Sequence, residues 1–494
     1  MIEAYDVSSV RAAEGAAMRE LPEGTLMDRA ARGLASVVGV RLRERGGRRV
    51  VALVGGGDNG GDALYAVAAL AAEGVATAVV TVSEHPHAAG LEAVTAAGVE
   101  VVASLGGQAA PRAVELVQEA DVVLDGVLGI GGRPGLPAAG EAVVRAVPDD
   151  SMVVAVDLPS GADPAGEVSA PSTVFADETV TFAMVKPVHL LPATEAAVGV
   201  LTVVDIGVEP VGTPTVQRLT HDDVAALWPV PGPADDKYSR GVLGVVAGGE
   251  GYTGAPLLSV TTAVAAGAGM VRYVGPPTPT TLIRAAVPEA VHGTGRVQAW
   301  LVGPGLDPGD DTGAGRAQRD AALEALASGE PCVVDAGGLE LLERGPRPAP
   351  TLLTPHAGEL ARLLTRLDRP VERAEVTAAP LQHARRLAEL TGATVLLKGS
   401  TTLVVDPGPG AMVRSQADAP AWMATAGSGD VLAGLAGTLL AAGLSPLDAG
   451  SLAALVHGLA GDAANPGGPV RALAVASAIP AVVAGLLARG RHRS

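Results

Sequence analysis

The sequence predicts an α/β fold with two doubly wound sheets of mainly parallel strands. Short valine-rich runs alternate with helical stretches, and such continuous apolar runs are typical of parallel strands that are buried on both faces. The 494 residues exceed one ordinary core, so two or three domains are expected. The proline-rich stretch 208–236 has little periodicity and predicts a boundary near residues 209–218, which gives domains over 1–212 and 213–494.

Both halves show the same alternation of helix and strand patterns. The first half predicts helices over residues 7–20, 25–45, 60–73 and 92–97, and strands over 49–54, 76–82, 99–102, 122–125 and 152–156. The second half predicts strands over 242–247, 269–274, 299–302, 332–335, 352–354, 395–398 and 402–405. It ends with helices over 428–442, 446–464 and 471–489, which are rich in Ala, Leu and Gly.

The composition narrows the class of protein. Aromatic residues make up 2% of the chain, so the cores must be built from Ala, Val and Leu. A net charge of −18 argues against nucleic-acid binding. The single Cys332 allows no internal disulfide and fits the cytoplasm, and the N-terminus lacks the pattern of a signal peptide. The apolar run 472–488 contains Pro480 and is shorter than the ~20 residues of a membrane span, so a core helix and no membrane partner are expected.

Two residue types are scarce. The 35 basic residues include only Lys186, Lys237 and Lys398 as lysines, and Asn59 and Asn465 are the two asparagines. Lysine offers a compact, rotatable ammonium that arginine cannot copy. A lysine that persists against this background therefore has a chemical reason to be there.

The first candidate site follows the strand over 49–54. Its loop, Gly55–Asp62, fits the glycine spacing of a Rossmann-like nucleotide-binding turn, although a plain strand-to-helix turn would also explain it. The loop carries more polar groups than a plain turn needs, namely Asp58, Asn59 and Asp62.

Later strands of the same half also end in polar residues. Asp125 and Asp157 each close a strand, and Ser160 follows shortly after. Because ligands bind outside the carboxyl ends of parallel strands, these side chains are expected to converge with Asn59. Such oxygen ligands suit a hard cation, and the alternative interpretation is helix capping.

Residues 1–210 resemble the N-terminal domain family of NAD(P)H-hydrate epimerases. The matching motifs are Asp58–Asp62, Asp125 with Gly129–Gly135, Asp157–Gly161, Thr181–Pro187 and Val204–Gly207. The resemblance implies a potassium ion held by Asn59, Asp125 and Ser160. It implies contacts with the hydrated dinucleotide from Asp58, Asn59, Gly60, Gly61, Asp62, Gly129, Ile130, Gly131, Gly132, Arg133, Pro134, Gly135 and Asp157. Asp58 and Ala63 replace the usual Asn and Gly.

Asp157 is the candidate acid or base of the first half. The damaged cofactor carries a hydroxyl on the carbon next to the ring nitrogen. Interconversion of its R and S forms needs reversible cleavage of that C–O bond, which an acid or base must assist.

The second candidate site lies at residues 424–434, where Gly427-Ser-Gly429 leads into an apolar helix with Asp430 at the junction. Free N–H groups at a helix start collect negative charge, so this turn is suited to a phosphate. An acid beside a phosphate is better placed to take a proton from an attacking hydroxyl. The turn therefore predicts phosphoryl transfer to an alcohol.

Five further segments accompany this turn. They are 235–241, the glycine loop 248–256, 301–306 with a small Gly305 at a strand end, 354–359 and 397–402. Each has a plainer interpretation: His356 could be a turn residue, and Lys398 a solvated charge. Their occurrence in one domain ahead of the Gly-Ser-Gly-Asp helix start indicates a single site.

Residues 218–494 resemble the ribokinase-like ADP/ATP-dependent NAD(P)H-hydrate dehydratases. The resemblance implies hydrate contacts from Ala255, Gly305, His356 and Asp430. It implies contacts with ADP or ATP, carrying Mg²⁺ on the phosphates, from Lys398, Gly399, Ser400, Thr401, Thr402 and Gly429. Two departures stand out: Asp335 is not followed by a second acid, and Thr425-Ala426 replaces two glycines.

Together the halves predict a fused cofactor-repair enzyme of the cytoplasm that acts on hydrated NADH and NADPH. One half would interconvert the R and S hydrates, and the other would dehydrate the S hydrate, releasing AMP or ADP and phosphate. Three alternatives stay open: a small-molecule kinase, a non-catalytic N-terminal binding module, and a nicotinamide-dependent oxidoreductase. Exposed alanine-rich faces make a homo-oligomer the expected assembly.

Overall fold

The computed structural model describes residues 1–491, and the chain divides into two compact units. One unit comprises Glu3–Val216, and the other comprises Met1–Ile2 and the chain from Gln217 onward. The predicted fold class is confirmed, because each unit is an α/β structure with a largely parallel sheet.

The N-terminal unit alternates strands and helices from β2 to β6. The short strand β1 (Ile2–Ala4) begins in the other unit. The strands of the N-terminal sheet are β2 (Arg49–Val54), β3 (Ala76–Thr81), β4 (Glu100–Ala103), β5 (Val122–Gly126), β6 (Met152–Val156), β7 (Glu178–Phe182) and β8 (Val200–Val204). The helices are α1 (Val7–Glu20), α2 (Thr25–Glu44), α3 (Asp58–Ala72), α4 (Ala88–Ala96), α5 (Pro111–Gln118) and α6 (Ala138–Val144). Helices α5 and α6 and strands β7 and β8 were not predicted from the sequence.

The sheet of this unit has the order β4-β3-β2-β5-β6-β7-β8 with parallel neighbours. This is the Rossmann-like arrangement, in which the order reverses between β2 and β5. Helix α3 packs over the sheet, and its Ala63, Leu64, Val67 and Leu70 are buried in the core with α2. The core consists almost entirely of Ala, Val and Leu, as the composition predicts.

The C-terminal unit repeats the alternation and ends in three helices. Its strands are β9 (Val216–Arg218), β10 (Val242–Val246), β11 (Met270–Val274), β12 (Val291–His292), β13 (Ala299–Val302), β14 (Cys332–Val334), β15 (Thr351–Leu353), β16 (Thr394–Leu397), β17 (Thr402–Val405) and β18 (Val413–Gln416). Its helices are α7 (His221–Leu227), α8 (Gly254–Ala265), α9 (Pro277–Ala286), α10 (Gly313–Ala327), α11 (Ala357–Leu367), α12 (Arg373–Ala378), α13 (Pro380–Thr391), α14 (Ser428–Ala441), α15 (Pro446–Ala464) and α16 (Ala472–Arg491).

The second sheet has the order β1-β9-β18-β17-β16-β15-β14-β13-β10-β11-β12. The sheet is parallel from β12 to β16, and β17 and β18 are antiparallel additions. Helix α14 runs through the centre of the core and packs on α8, α15 and the strands β10, β13 and β14. The carboxyl ends of the parallel strands therefore meet the start of α14.

Helix α16 is longer than the apolar run that predicts it. Its stretch Ala472–Arg489 is long and apolar enough to cross a membrane by length and composition, and 28% of it is buried inside the unit. One face packs into the core through Val475, Ala476 and Ile479, against α15, α7 and α8. The expected packed helix is thus present, with an apolar outer face.

Candidate functional site

The first turn of α3 lies at the point where the strand order of the N-terminal sheet reverses. The side-chain amide of Asn59 donates to the carbonyl oxygen of Val156 at 2.5 Å and to that of Leu128 at 3.2 Å. These bonds tie the start of α3 to the end of β6. Gly55 is needed for this approach, because a Cβ there would lie 1.9 Å from the carbonyl oxygen of Val127.

Three expected cation ligands converge beside this turn. The backbone N–H of Ser160 donates to Asp125 Oδ2 at 2.7 Å, and the N–H of Leu128 donates to Ser160 Oγ at 2.8 Å. Leu128 also accepts from Asn59, so Leu128 links the side chains of Asn59 and Ser160, and the backbone of Ser160 links them to Asp125. Asp125 is 1% exposed, and burial raises the pKa of its carboxyl to about 6.

A monovalent cation fits this group of residues. Asp125 has no ion-pair partner within residues 1–491, and an unpaired buried carboxylate is costly. Oxygen donors from Asn59 and Ser160 stand next to it, and such donors suit a hard cation.

Asp157 sits at the end of β6 in a strained conformation. Its φ of 68° lies in the left-handed region, which is uncommon for any residue other than glycine. Asp157 Oδ1 accepts from the Lys186 ammonium at 2.6 Å and from the Thr181 hydroxyl at 2.9 Å. The Lys186 ammonium also donates to Thr181 Oγ1 at 2.8 Å. A strained carboxylate held by a buried lysine is a feature of functional sites.

His189 is hydrogen-bonded to the backbone of both residues of this pair. The backbone N–H of Lys186 donates to its Nδ1 at 3.1 Å, so the ring proton is on Nε2, which donates to the carbonyl oxygen of Asp157 at 2.8 Å. Burial and the nearby Lys186 charge lower the pKa of His189 to about 4, so the ring is neutral.

The charge of Lys186 controls the protonation state of Asp157. Burial alone would raise the pKa of this carboxyl, but the charge and hydrogen bond of Lys186 outweigh burial, and the pKa is lowered. Asp157 is therefore a carboxylate at neutral pH.

The loop over residues 129–135 closes the other side of this site. The N–H of Gly135 donates to the carbonyl oxygen of Gly161 at 2.8 Å, so the loop lies along the segment that carries Ser160. Gly129 packs against Asn59, because a Cβ there would come 2.2 Å from Asn59 Oδ1. Gly131, Arg133 and Pro134 are exposed at the loop surface, whereas Ile130 packs against Leu158 and Val188. The exposed part is open to a ligand.

The candidate site of the C-terminal unit is built around the start of α14. Gly427 precedes the helix with a φ of 85°, and a Cβ there would lie 2.5 Å from Leu258 Cδ1. Asp430 is in the first turn, where N–H groups lack intrahelical partners. The hydroxyl of Ser259 on α8 donates to the carbonyl oxygen of Asp430 at 3.0 Å and fixes the two helices together.

Lys398 connects the ends of three strands to this turn. Its ammonium donates to Asp335 Oδ1 at 2.7 Å and lies 3.8 Å from Glu359 Oε2. The Thr354 hydroxyl also donates to Asp335 Oδ1, at 2.8 Å. A Cβ on Gly429 would lie 3.4 Å from Lys398 Nζ, so the ammonium faces the start of α14.

Asp430 is poised to exchange a proton near neutral pH. Burial and the charges of Asp335 and Glu359, opposed by that of Lys398, together raise the pKa of its carboxyl to about 7. A general base is most effective when its pKa is close to the working pH.

His356 has the plainer of the two roles that the sequence left open. Its Nδ1 accepts from the N–H groups of Gly358 and Glu359, at 3.0 and 3.2 Å, and so caps α11. Because burial and nearby cations lower the pKa of the ring, it is neutral with its proton on Nε2. The side chain is exposed, and its Nε2 lies 3.6 Å from Glu359 Oε2.

The remaining expected contacts lie around the same strand ends. Gly305 has a φ of 66°, and a Cβ on it would come 3.0 Å from the Cβ of Ala255 at the start of α8. The turn between β16 and β17 exposes Gly399 and Ser400, leaves Thr402 partly buried and buries Thr401. The structure thus gathers the expected hydrate and nucleotide residues at one edge of the sheet.

Several site residues were not assigned a role from the sequence. Asp335 and Glu359 flank Lys398, and Thr181 and His189 flank the Lys186–Asp157 pair. The scarcity of lysine marks Lys186 and Lys398. The acids at the ends of β14 and in the first turn of α11 follow the same strand-end rule that identifies Asp125 and Asp157.

Comparisons with known proteins find a matching family for each half of the chain. The family model described as NAD(P)H-hydrate dehydratase matches residues 243–480, and the model described as YjeF-related protein N-terminus matches residues 23–188. The bifunctional NAD(P)H-hydrate repair enzyme Nnr of Mycobacterium tuberculosis H37Rv is 45% identical over 458 residues, covering 89% of each chain. The enzyme of the same name from Mycobacterium leprae is 44% identical over 483 residues, covering 94% of each chain.

Among solved structures, an ADP/ATP-dependent NAD(P)H-hydrate dehydratase from Bacillus subtilis, co-crystallized with ATP/Mg²⁺, aligns with a TM-score of 0.48 and 23% identity. The alignment covers 55% of this chain and 99% of that chain. The family models and the two mycobacterial relatives span both halves of the chain. The chain therefore belongs to the bifunctional NAD(P)H-hydrate repair enzymes, which join an epimerase and a dehydratase in one polypeptide.

Proposed function

We propose that each half of this repair enzyme performs its reaction through one carboxylate beside one lysine. In the epimerase half the carboxylate is Asp157, bound to Lys186. In the dehydratase half it is Asp430, and Lys398 stands between it and Asp335. The observation that carries the proposal is that two of the three lysines lie at these two strand-end sites, each bound to an acid.

In the dehydratase half, Asp430 takes the proton of the hydrate hydroxyl. The hydroxyl oxygen then attacks the terminal phosphate of the nucleotide, and the N–H groups of Gly427–Gly429 hold the charge that develops on it. Phosphate is a far better leaving group than hydroxide, so its departure restores the reduced nicotinamide ring. Ala255, Gly305 and His356 contact the hydrate at the same edge of the sheet.

The nucleotide lies along the turn after β16. Lys398, Gly399, Ser400, Thr401 and Thr402 contact ADP or ATP together with Gly429. The residues that the structure describes contain no group of three or more His, Cys, Asp or Glu placed to hold a metal. In this proposal Mg²⁺ is carried on the phosphates, where it would neutralise their charge, while Lys398 orients the transferred group.

In the epimerase half, Asp157 assists the breaking and making of the C–O bond of the hydrate. Residues 58–62 and 129–135 contact the dinucleotide. Asn59, Asp125 and Ser160 would hold a potassium ion, which supplies the positive charge that the buried Asp125 otherwise lacks. The domains are 1–212 and 213–494, and the enzyme works in the cytoplasm as a homo-oligomer.

Two single variants test the assignment of carboxylates. Asp430→Asn should abolish nucleotide-dependent return of NADH and leave epimerisation intact. Asparagine has nearly the same size as aspartate, so the fold is kept, and the epimerase half is not altered. Asp157→Asn should leave the S hydrate fully convertible and stop enzymatic conversion of the R hydrate. Chiral chromatography of the hydrates, alongside reduced-nicotinamide absorbance, measures both. Unchanged epimerisation in Asp157→Asn would remove Asp157 from the reaction.

A further inference from the structure

Asp62 is an acid that no other described residue contacts by a hydrogen bond or an ion pair. It lies in α3, one turn after the start of the helix, and is 8% exposed. No hydrogen bond or ion pair reaches its carboxyl among residues 1–491, whereas Asp125 and Asp157 each accept two hydrogen bonds. Its oxygens are not among the unbonded polar atoms that the described residues seal from solvent, so a ligand can reach them.

The position of Asp62 places it in the epimerase site. Asn59, three residues earlier on α3, donates to the carbonyl oxygen of Val156, the residue that precedes Asp157. Residues three apart on a helix lie on one face, so Asp62 follows Asn59 toward the same strand end. Asp62 also belongs to residues 58–62, which are proposed above to contact the hydrate.

The charges that face Asp62 come from four elements. They are Glu14 on α1, Asp58 on α3, Asp157 after β6 and Lys186 after β7. The preceding residue, Gly61, lies against Met27 of α2 and the ring of His87, which precedes α4. Three carboxyls therefore oppose one ammonium, and that ammonium is already bound to Asp157. Burial first, and then these acids, raise the pKa of Asp62 well above its usual range.

We propose that Asp62 is the general acid of epimerisation and works opposite the Asp157 carboxylate. The inference rests on the proposed role of Asp157 in the same reaction. The two acids have opposite environments, since Asp62 is unpaired and Asp157 is bound to a lysine. Such a pair can divide the roles, with one residue as the acid and the other as the base.

The reaction balances with these two groups. The ring nitrogen of the hydrate gives its lone pair to form a C=N⁺ bond as the neighbouring C–O bond breaks. The proton of Asp62 goes to the departing hydroxyl, which leaves as water, and Asp62 becomes a carboxylate. A water then adds to the other face of the C=N⁺ carbon and gives its proton to Asp157. Transfer of that proton to Asp62 through solvent restores the starting state, and reversal of the steps converts the other epimer.

The test uses the full chain with a mixture of R and S NADH hydrate and saturating ATP or ADP. The S hydrate returns to NADH in a fast phase, and the slow phase then reports epimerisation, after subtraction of the rate without enzyme. Asp62→Asn should slow this phase by at least ~100-fold and leave the fast phase unchanged, because a general acid contributes roughly 10²–10⁴-fold. Glu73→Gln, at the far end of the same helix, is the matched control and should change neither phase by more than about twofold.

Two further measurements separate an acid from a structural residue. The wild-type slow phase should decline at high pH as Asp62 loses its proton, and this decline should vanish in Asp62→Asn. Asp62→Glu should keep the decline and recover part of the rate. A slow phase in Asp62→Asn within threefold of the wild type, or a persistent decline at high pH, would overturn the inference. If Asp157→Asn is inactive in that case, only the role of Asp62 falls; if it is active, the role of Asp157 falls as well.

Discussion

The buried ammonium of Lys186 lies 2.6 Å from Asp157 Oδ1, at the end of β6 where the backbone of Asp157 is strained. Lys186 is 1% exposed, so this pair is almost completely removed from water. A second lysine is bound in a similar way in the other unit, where Lys398 lies 2.7 Å from Asp335 Oδ1. In each unit a lysine is paired with an acid at the carboxyl edge of the sheet.

Replacement of Lys186 by methionine should destabilise the N-terminal unit. The variant leaves the Asp157 carboxylate buried without its counter-ion, and breaking a buried pair in this way costs about 3–5 kcal/mol. Urea unfolding followed by circular dichroism measures the loss. The double variant Lys186→Met/Asp157→Asn removes both charges and should regain part of the stability. Equal stability of Lys186→Met and the wild type would show that the pair is not held as the structure indicates.

The pH dependence of dehydration should follow Asp430. As a base, Asp430 must be deprotonated, so kcat/KM should fall about tenfold per pH unit below its pKa of about 7. Glu359→Gln removes a negative charge that raises this pKa, so the acid limb of the profile should move to lower pH. Glutamine can still accept the N–H of His356 and preserve the cap of α11. An acid limb that moves upward, or does not move, would contradict the role given to Asp430.

Potassium should stabilise the protein through Asp125. A cation that binds only the folded state raises its stability with the logarithm of one plus the ratio of its concentration to its dissociation constant. The thermal midpoint of the N-terminal transition should therefore rise when KCl replaces tetramethylammonium chloride at equal ionic strength. Asp125→Asn keeps the size of the side chain and removes its charge, so the response should disappear. An equal response in Asp125→Asn would place the cation elsewhere.

Substitution of Gly427 should impair dehydration more than substitution of Gly443, the glycine that follows the other end of α14. Gly427 and Gly443 flank α14, with φ values of 85° and 96°, so alanine strains the backbone at both. Only at Gly427 does the new Cβ meet a neighbour, Leu258, and only there does the turn face the site. Gly427→Ala should lower kcat of dehydration at least ~10-fold, whereas Gly443→Ala should affect stability alone. Similar kcat values in the two variants would mean that the turn does not contact the phosphate.

The strand-end rule explains how much of the site could be predicted from the sequence. Parallel strands end at one edge, so Asn59, Asp125 and Ser160 were expected to meet, and the structure links them through Leu128 and the N–H of Ser160. The pairs Lys186–Asp157 and Lys398–Asp335 join residues far apart in the sequence, which no local pattern shows. Strand β7 was missed because it begins with Glu178, a charge that is buried through its bonds to Arg41 and Thr202. Without β7 the sequence could not bring Thr181 and Lys186 to Asp157.

The most direct test of the account is the complete repair of an epimeric mixture by the unmodified protein. NADH hydrate containing both R and S forms is incubated with the protein and ATP or ADP, and the absorbance of the reduced nicotinamide is followed. Both activities in one chain predict full return of the absorbance, faster than spontaneous epimerisation allows. Return of only the S fraction, followed by the spontaneous rate, would contradict the epimerase half, and no nucleotide-dependent return would contradict the dehydratase half.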